Sequence, residues 1–377
     1  MTGRGRAAPR MAFLLATLTG GGAERVVLKL AGAFAARGIA VDLLALHAHG
    51  ELASAVPDGV RLIELKARTT LGALPDLVAY LRTESPEVLL STNPHTNILA
   101  VLARRRGGRP VRLVLRASTV LEDIRQSRWM RARFLPVAMR WAYPRADAVV
   151  ALCRASADEL VDVIGVPAAK VALIANPVLD SAFEHQLAEP PAHPWLRDGG
   201  PPVVLGVGRL EAQKDFGTLV DAVAAVRRMR PCRLLLLGEG PERAALEAQV
   251  ARNGLGKDDV SMPGFVANPI AAMASADVFV LPSLWEGLPN ALIEALGTGV
   301  PVIATTGPGG SREVLQEGRW GSLVPPGNAA ALAAEIGRIL ARPPTPRVRS
   351  PRAADFASDA IIRQYLEVLG LPDQAGD

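Results

Sequence analysis

The sequence predicts an α/β protein built as two Rossmann-like, doubly wound parallel-sheet domains that face a central cleft. Three observations predict it. Short apolar runs alternate with helical stretches along most of the chain, the pattern of strand–helix–strand units in a parallel sheet. The pattern fades into a Pro- and Gly-rich segment near the middle and then starts again. In each half a strand-like run ends in clustered glycines just before a helix, where open α/β sheets bind their ligands.

Taken in order, residues 11–18, 40–46, 61–65, 88–91, 111–116, 148–152 and 171–174 read as strands of the first half, with helices over 24–37 and 96–106 between them. Residues 180–202 carry five prolines and two glycines with little periodicity. They read as the connection, which sets domains of 1–185 and 201–354 with a linker at 186–200. In the second half, 202–207, 233–237, 260–262, 278–281 and 301–304 read as strands, and 215–229, 242–251, 289–296 and 329–340 as helices. A last amphipathic helix over 355–370 is expected to pack back on the first domain.

Composition narrows the function. The 377 residues are 49% hydrophobic, ample for a core in each half. No apolar run reaches the roughly 18 residues that span a bilayer. Arg4, Arg6 and Arg10 before the run 11–18 imitate a short signal peptide, but a first buried strand is the better reading, and a cytoplasmic protein follows. Cys153 and Cys232 sit far apart in apolar runs and read as buried thiols. The net charge of +5 rests mostly on arginine, so each of the five lysines is informative where it falls in a motif.

Three motifs carry chemistry. Gly20, Gly21 and Gly22 follow a strand and open a helix, so their backbone can approach an anion; a plain tight turn is the competing reading. In the second half Gly206 and Gly208 end a strand, followed by Arg209 and Lys214 just before a helix. Two cations there can neutralise a departing diphosphate, Arg as a fork and Lys as a point charge. No Asp-x-Asp triplet occurs, so no metal is expected. The third run, from Pro282 through Glu286, Gly287, Leu288 and Pro289 to Glu294, sets two carboxylates across a loop-to-helix boundary. Pro289 suits a first helical turn. Glu286 then falls in the loop, aimed at the cleft, and Glu294 in the helix, both suited to accept sugar hydroxyls.

These residues, with Gly238 to Pro241, Gly264 to Val266 and Ala276 to Ser283, resemble in order and spacing the pattern of glycosyltransferase family 4, whose members have the GT-B fold and retain anomeric configuration. The match is close over the second half; the first half joins through Gly20 to Gly22 and through Ile174 to Pro177. The resemblance implies that Arg209 and Lys214 hold the donor pyrophosphate and Glu294 the donor ribose. It implies that Glu286 holds the transferred sugar with the amides of Gly287 and Leu288, and that Val266 meets the nucleobase. Gly208 belongs to the same donor set, and Gly21 and Gly22 would approach the phosphates from the other half. Many members of the family carry a histidine after the fifth strand, where this chain has Arg116. That departure is more like the branch that makes capsule, exopolysaccharide and lipid-linked oligosaccharide. Arg116, His95 and Asn97 are then candidates for the acceptor, His95 also for catalysis.

The implied activity is a retaining, metal-independent transfer of a hexose or N-acetylhexosamine from a nucleotide-diphosphate sugar, a UDP-sugar by preference, to a glycan or polyprenyl-diphosphate-linked acceptor. No cofactor is expected beyond the donor itself. Arg125, Arg128, Arg131, Arg133, Arg140 and Arg145 interleave with Trp129, Phe134, Trp141 and Tyr143. Such a segment can dock on anionic lipid of the inner membrane face, or it can be an ordinary core-facing helix. No nucleic-acid module is found. Two rivals share the architecture: an isomerase resembling UDP-N-acetylglucosamine 2-epimerase, and a non-catalytic nucleotide-sugar-binding scaffold.

Overall fold

The computed structural model describes residues 10–19, 21–108, 110–118, 134–343 and 346–373. The chain divides into two compact units. One holds the residues up to Pro177 together with those from Asp359 onward; the other is Val178–Ser358.

The first unit is a seven-stranded parallel sheet: β1 (Arg10–Leu15), β2 (Ala40–Ala45), β3 (Val60–Glu64), β4 (Val88–Thr92), β5 (Arg112–Ala117), β6 (Ala148–Ala151) and β7 (Val171–Leu173), in spatial order β3-β2-β1-β4-β5-β6-β7. Its central strands read as apolar runs because helices cover both faces, so every position is buried. Met11 to Leu15 are at most 1% exposed. Helix α1 (Gly22–Ala35) buries Val26, Val27, Leu30, Ala31 and Phe34 along one face, and the Phe34 ring stacks on Phe13 of β1 at 6.0 Å. Further helices are α2 (Leu74–Thr83), α3 (Pro94–Gly107), α4 (Leu135–Ala142) and α5 (Arg154–Asp158). The strand order reverses between β1 and β4, which puts the loops before α1 and α3 side by side at the carboxyl edge of this sheet.

The second unit repeats the plan with six parallel strands, β8 (Val203–Val207), β9 (Arg233–Leu237), β10 (Val260–Gly264), β11 (Val278–Leu281), β12 (Val302–Thr305) and β13 (Ser322–Val324), in spatial order β10-β9-β8-β11-β12-β13. Its helices are α6 (Ser181–Ala188), α7 (Phe216–Arg227), α8 (Arg243–Arg252), α9 (Pro269–Ser275), α10 (Asn290–Thr298), α11 (Ser311–Val314) and α12 (Ala329–Leu340). Here the order reverses between β8 and β11. β13 went unseen in the sequence because it is three residues long, with Ser322 and Leu323 only half buried. The closing helix α13 (Ser358–Leu369) belongs to the first unit, where Val368 O accepts a bond from Arg112 Nε at 3.0 Å.

The segment read as a linker is built otherwise. Asp180 caps α6 by accepting from Phe183 N at 2.8 Å, and Phe183 is 2% exposed. Farther on, the Arg233 guanidinium lies 4.9 Å over the Trp195 ring and pairs with Asp198 at 2.8 Å. The chain passes between units at Pro177 and Val178 rather than near residue 185. A few anchoring side chains hold this stretch in place of an apolar stripe, so periodicity gave no sign of it.

Candidate functional site

In the second unit Lys214 and Glu286 stand on the two loops flanking the β8–β11 reversal. After β8 the chain makes a short turn, Ala212–Lys214, and reaches Asp215 in the left-handed region at φ 47. Asp tolerates that conformation better than most residues. Its carboxylate caps α7, accepting from Thr218 Oγ1 at 2.7 Å, and burial holds its pKa above the usual carboxylate value. The turn reverses Lys214 so that its stem crosses Gly208, where an added Cβ would lie 3.5 Å from the lysine Cε.

The Lys214 ammonium ends 2.6 Å from Glu286 Oε1, a partner seventy-two residues away. Ser283 Oγ donates to the same Oε1 at 2.6 Å. Both contacts fall on one carboxylate oxygen; Oε2 takes neither. The Glu286 side chain is 8% exposed and that of Lys214 is 20% exposed, so this pair is shielded well beyond an ordinary surface ion pair. Glu286 does lie in the loop, but its carboxylate is engaged with the protein's own cation instead of standing open. Two further bonds zip the loops together, Leu284 N to Gln213 O at 2.8 Å and Gln213 Nε2 to Trp285 O at 2.9 Å.

A third loop, absent from the sequence reading, walls this site. Residues 306–310 follow β12, and Glu286 N donates to Pro308 O while Gly310 N donates to Gly287 O. Gly309 has φ 116, and a Cβ there would fall 1.6 Å from Glu286 O, so only glycine permits the approach. Gly238 meets the same demand beneath the β8 turn, where a Cβ would sit 1.9 Å from Gly208 O. The signal was available: Gly307 to Gly310 repeats the strand–glycine–helix pattern read at Gly206 and Gly208.

The remaining donor candidates belong to the same unit. Arg209 is 68% exposed at its side chain and touches Glu211 at 2.9 Å. Glu294 sits half buried on α10, whose Leu292, Ile293, Ala295 and Leu296 face the core. Leu288 is half buried at the start of that helix. Val266 lines an apolar pocket with Leu237, Pro263, Ala272 and His193. His193 comes from the supposed linker; its Nε2 lies 3.0 Å from Ser261 Oγ, and burial, then the Arg233 charge, lowers its pKa below the usual histidine value.

In the first unit, Gly21 and Gly22 stand at the start of α1, while Gly20 lies outside the described residues. Asn93, at φ 76, turns β4 into α3 and accepts from Ser118 Oγ at 2.8 Å. His95 is exposed on the first turn of α3. Asn97 and Arg116, the other acceptor candidates, point into the first unit. Asn97 is 0% exposed and donates to Arg116 O at 3.2 Å and Tyr143 Oη at 3.0 Å. Arg116 is 1% exposed, and its guanidinium donates to Thr92 Oγ1 (3.1 Å), Asn176 Oδ1 (2.6 Å) and Tyr365 Oη (3.2 Å). A planar fork that saturates three oxygens ties β4, β5, the end of the first segment and α13 into one unit.

Of the basic–aromatic segment, Arg125, Arg128, Trp129, Arg131 and Arg133 lie outside the described residues. Its described end, α4, turns Met139 and Ala142 inward and leaves Phe134 73% and Val137 61% exposed. Arg105 and Arg145 stack over Trp141 at 5.6 and 5.0 Å. Among the described residues no helix is long and apolar enough to cross a membrane.

Comparison with known proteins supplies the family. The model described as "Glycosyl transferase 4-like domain" matches residues 21–177, and that described as "Glycosyl transferases group 1" matches residues 201–342. The putative colanic acid biosynthesis glycosyltransferase WcaL of Salmonella typhimurium is 33% identical over 221 residues, 55% of this chain and 52% of that protein. The N-acetylgalactosamine-N,N'-diacetylbacillosaminyl-diphospho-undecaprenol 4-alpha-N-acetylgalactosaminyltransferase of Campylobacter jejuni is 27% identical over 228 residues, 60% of each chain. The chain therefore spans between half and two thirds of the length of these two relatives. Among solved structures, Anabaena HepE in complex with UDP and glucose superposes with a TM-score of 0.75 at 22% identity, covering 96% of this chain and 99% of that one. With one model on each parallel-sheet unit and the strand reversals where a nucleotide-binding sheet has them, the chain belongs to the family 4 glycosyltransferases and has their GT-B fold.

Proposed function

We propose that this protein is a retaining glycosyltransferase that moves a hexose or N-acetylhexosamine from a UDP-sugar to a glycan or polyprenyl-diphosphate-linked acceptor in bacterial surface polysaccharide synthesis, without a metal. The observation that carries the reading is the Lys214–Glu286 pair at the β8–β11 reversal, with Arg209 exposed in the turn after β8. A site that must release a diphosphate needs positive charge at the departing oxygens, and fixed cations supply it without reorganisation. Lys214 and Arg209 have that role. Glu286 with the amides of Gly287 and Leu288 holds the sugar, Glu294 the ribose, and Val266 the base. On the first unit, Gly21 and Gly22 are assigned backbone contact with phosphate, and His95 the acceptor.

The bond from the acceptor oxygen to the anomeric carbon forms on the face from which the diphosphate departs. The acceptor proton passes to a phosphate oxygen of the leaving group, so no side chain need act as a strong nucleophile. UDP as the nucleotide is supported by the ligand named for HepE. A surface-glycan or lipid-linked acceptor is supported by the names of the two relatives.

The test is a thermal-shift and hydrolysis screen of the purified chain against UDP-, GDP- and ADP-sugars in EDTA, with product analysis with and without acceptor. One donor should raise the melting midpoint and slowly release its nucleotide in EDTA. Activity lost to EDTA and restored by magnesium overturns the metal-free assignment; a changed nucleotide sugar formed without acceptor overturns transfer in favour of isomerisation.

Peripheral contact with the inner membrane is part of the same proposal. Phe134, just before α4, and Val137 on it are exposed next to Arg105, Arg140 and Arg145, an arrangement suited to inserting apolar groups between anionic headgroups. The protein should pellet with vesicles containing anionic lipid, and Phe134→Ser with Val137→Ser should release it. Equal recovery with neutral vesicles, or no effect of the double substitution, rules the contact out.

A further inference from the structure

We infer that Glu286 makes this site distinguish an intact nucleotide sugar from the bare nucleoside diphosphate, and that Ser283 is the positioning residue that sets how sharply it does so. The inference rests on the donor-site reading above and concerns what the Lys214–Glu286 pair does to binding.

Lys214, assigned to the pyrophosphate, is already committed at 2.6 Å to a carboxylate. A diphosphate arriving at Lys214 therefore meets a cation whose charge is partly neutralised, and it brings negative charge toward Glu286. In a pocket where that side chain is 8% exposed, water screens the repulsion poorly. To the extent that Lys214 turns to phosphate, Glu286 loses a partner. Ser283 Oγ, from a residue 1% exposed, is then the bond that stays on Oε1. A buried carboxylate short of donors is costly.

The bare diphosphate offers Glu286 nothing in return. A transferable sugar does, because its hydroxyls are donors and a carboxylate accepts from two of them, including at the Oε2 that takes neither Lys214 nor Ser283. The same carboxylate thus weakens the nucleotide and strengthens the sugar. After transfer, the departing diphosphate leaves a site in which Glu286 recovers its lysine, which favours release of the nucleotide product.

The experiment is calorimetric titration of the full chain with UDP and UDP-glucose, and with the GDP and ADP pairs, for the wild type, Glu286→Gln and Ser283→Ala, with a melting curve for each. The quantity read is the Kd of the bare nucleotide divided by the Kd of its sugar form. In the wild type it exceeds one. Glu286→Gln, which removes the charge and keeps the shape, should lower it about tenfold, partly through tighter binding of the bare nucleotide. Ser283→Ala should shift it the other way, raising it about threefold, because among the described residues the carboxylate then keeps no bond when Lys214 turns to phosphate. If Glu286→Gln does not fold, the opposite shift in Ser283→Ala carries the test. A wild-type ratio near one, or a ratio the same in all three proteins, overturns the inference and leaves the donor site standing. No binding of any nucleotide by the wild type overturns the donor-site reading itself, and the inference with it.

Discussion

Lys214→Ala is expected to lower kcat/KM by about 10²–10³-fold, roughly 3–4 kcal/mol, the loss typical when one fixed electrostatic stabiliser is removed. The structure adds a second consequence. Without the ammonium, the Glu286 carboxylate, 8% exposed in the intact pair, keeps among the described residues only the bond from Ser283, so the fold should lose about 1–3 kcal/mol as well. The two losses are separable. In Lys214→Ala with Glu286→Gln the buried charge is gone, so most of the stability should return while turnover stays low. Because the two side chains touch, the cycle should be strongly non-additive in stability. Initial rates with the donor found in the screen, set beside denaturant midpoints, give both axes. Lys214→Arg should not rescue, since a planar fork cannot take the place of a compact ammonium beside Ser283. Wild-type turnover in Lys214→Ala would remove the lysine from the mechanism altogether.

Arg116→Ala should destabilise the first unit by about 3 kcal/mol, through buried acceptors left without a donor and the cavity of a truncated side chain. Among the described residues the guanidinium rests on three neutral oxygens, those of Thr92, Asn176 and Tyr365, and its side chain is 1% exposed. Truncation opens a cavity and leaves those oxygens without their donor. At about 2–4 °C per kcal/mol for a domain of this size, the melting midpoint should fall by roughly 6–12 °C. Arg116→Lys should do little better, because one ammonium cannot reach three partners on different elements. Arg116→Met, which fills the space without burying a charge, should be milder than alanine. A midpoint within a degree of wild type in Arg116→Ala would free the residue from this structural role and return it to the acceptor-contact role that its position in the sequence first indicated.

The contrast between those two residues shows where the sequence was legible. Lys214 stood out because lysine is rare here and because it follows a strand, two glycines and an arginine, all local features. Arg116 looked equally functional by position, at the end of a strand where the family often has histidine. Nothing local says that Asn176 and Tyr365, the latter 249 residues away, close over it. Asn97 is a similar case. On α3, eight of fourteen residues are buried, so no polar stripe marks which side faces solvent. His95, two residues before, is exposed where Asn97 is not.

By itself the sequence determined the class, the duplication, most of the strands and the family. Strands buried on both faces announce themselves as apolar runs, and glycine turns before helices are written in adjacent residues. Only the tertiary structure decided that Glu286 holds Lys214 rather than standing open, that Ser283 braces it, that Arg116 and Asn97 face inward, and that residues 180–200 are packed onto the second unit. The reason is common to all four. Each depends on side chains brought together by the strand order of a sheet or by a single long-range anchor. Neither leaves a period or a spacing along the chain.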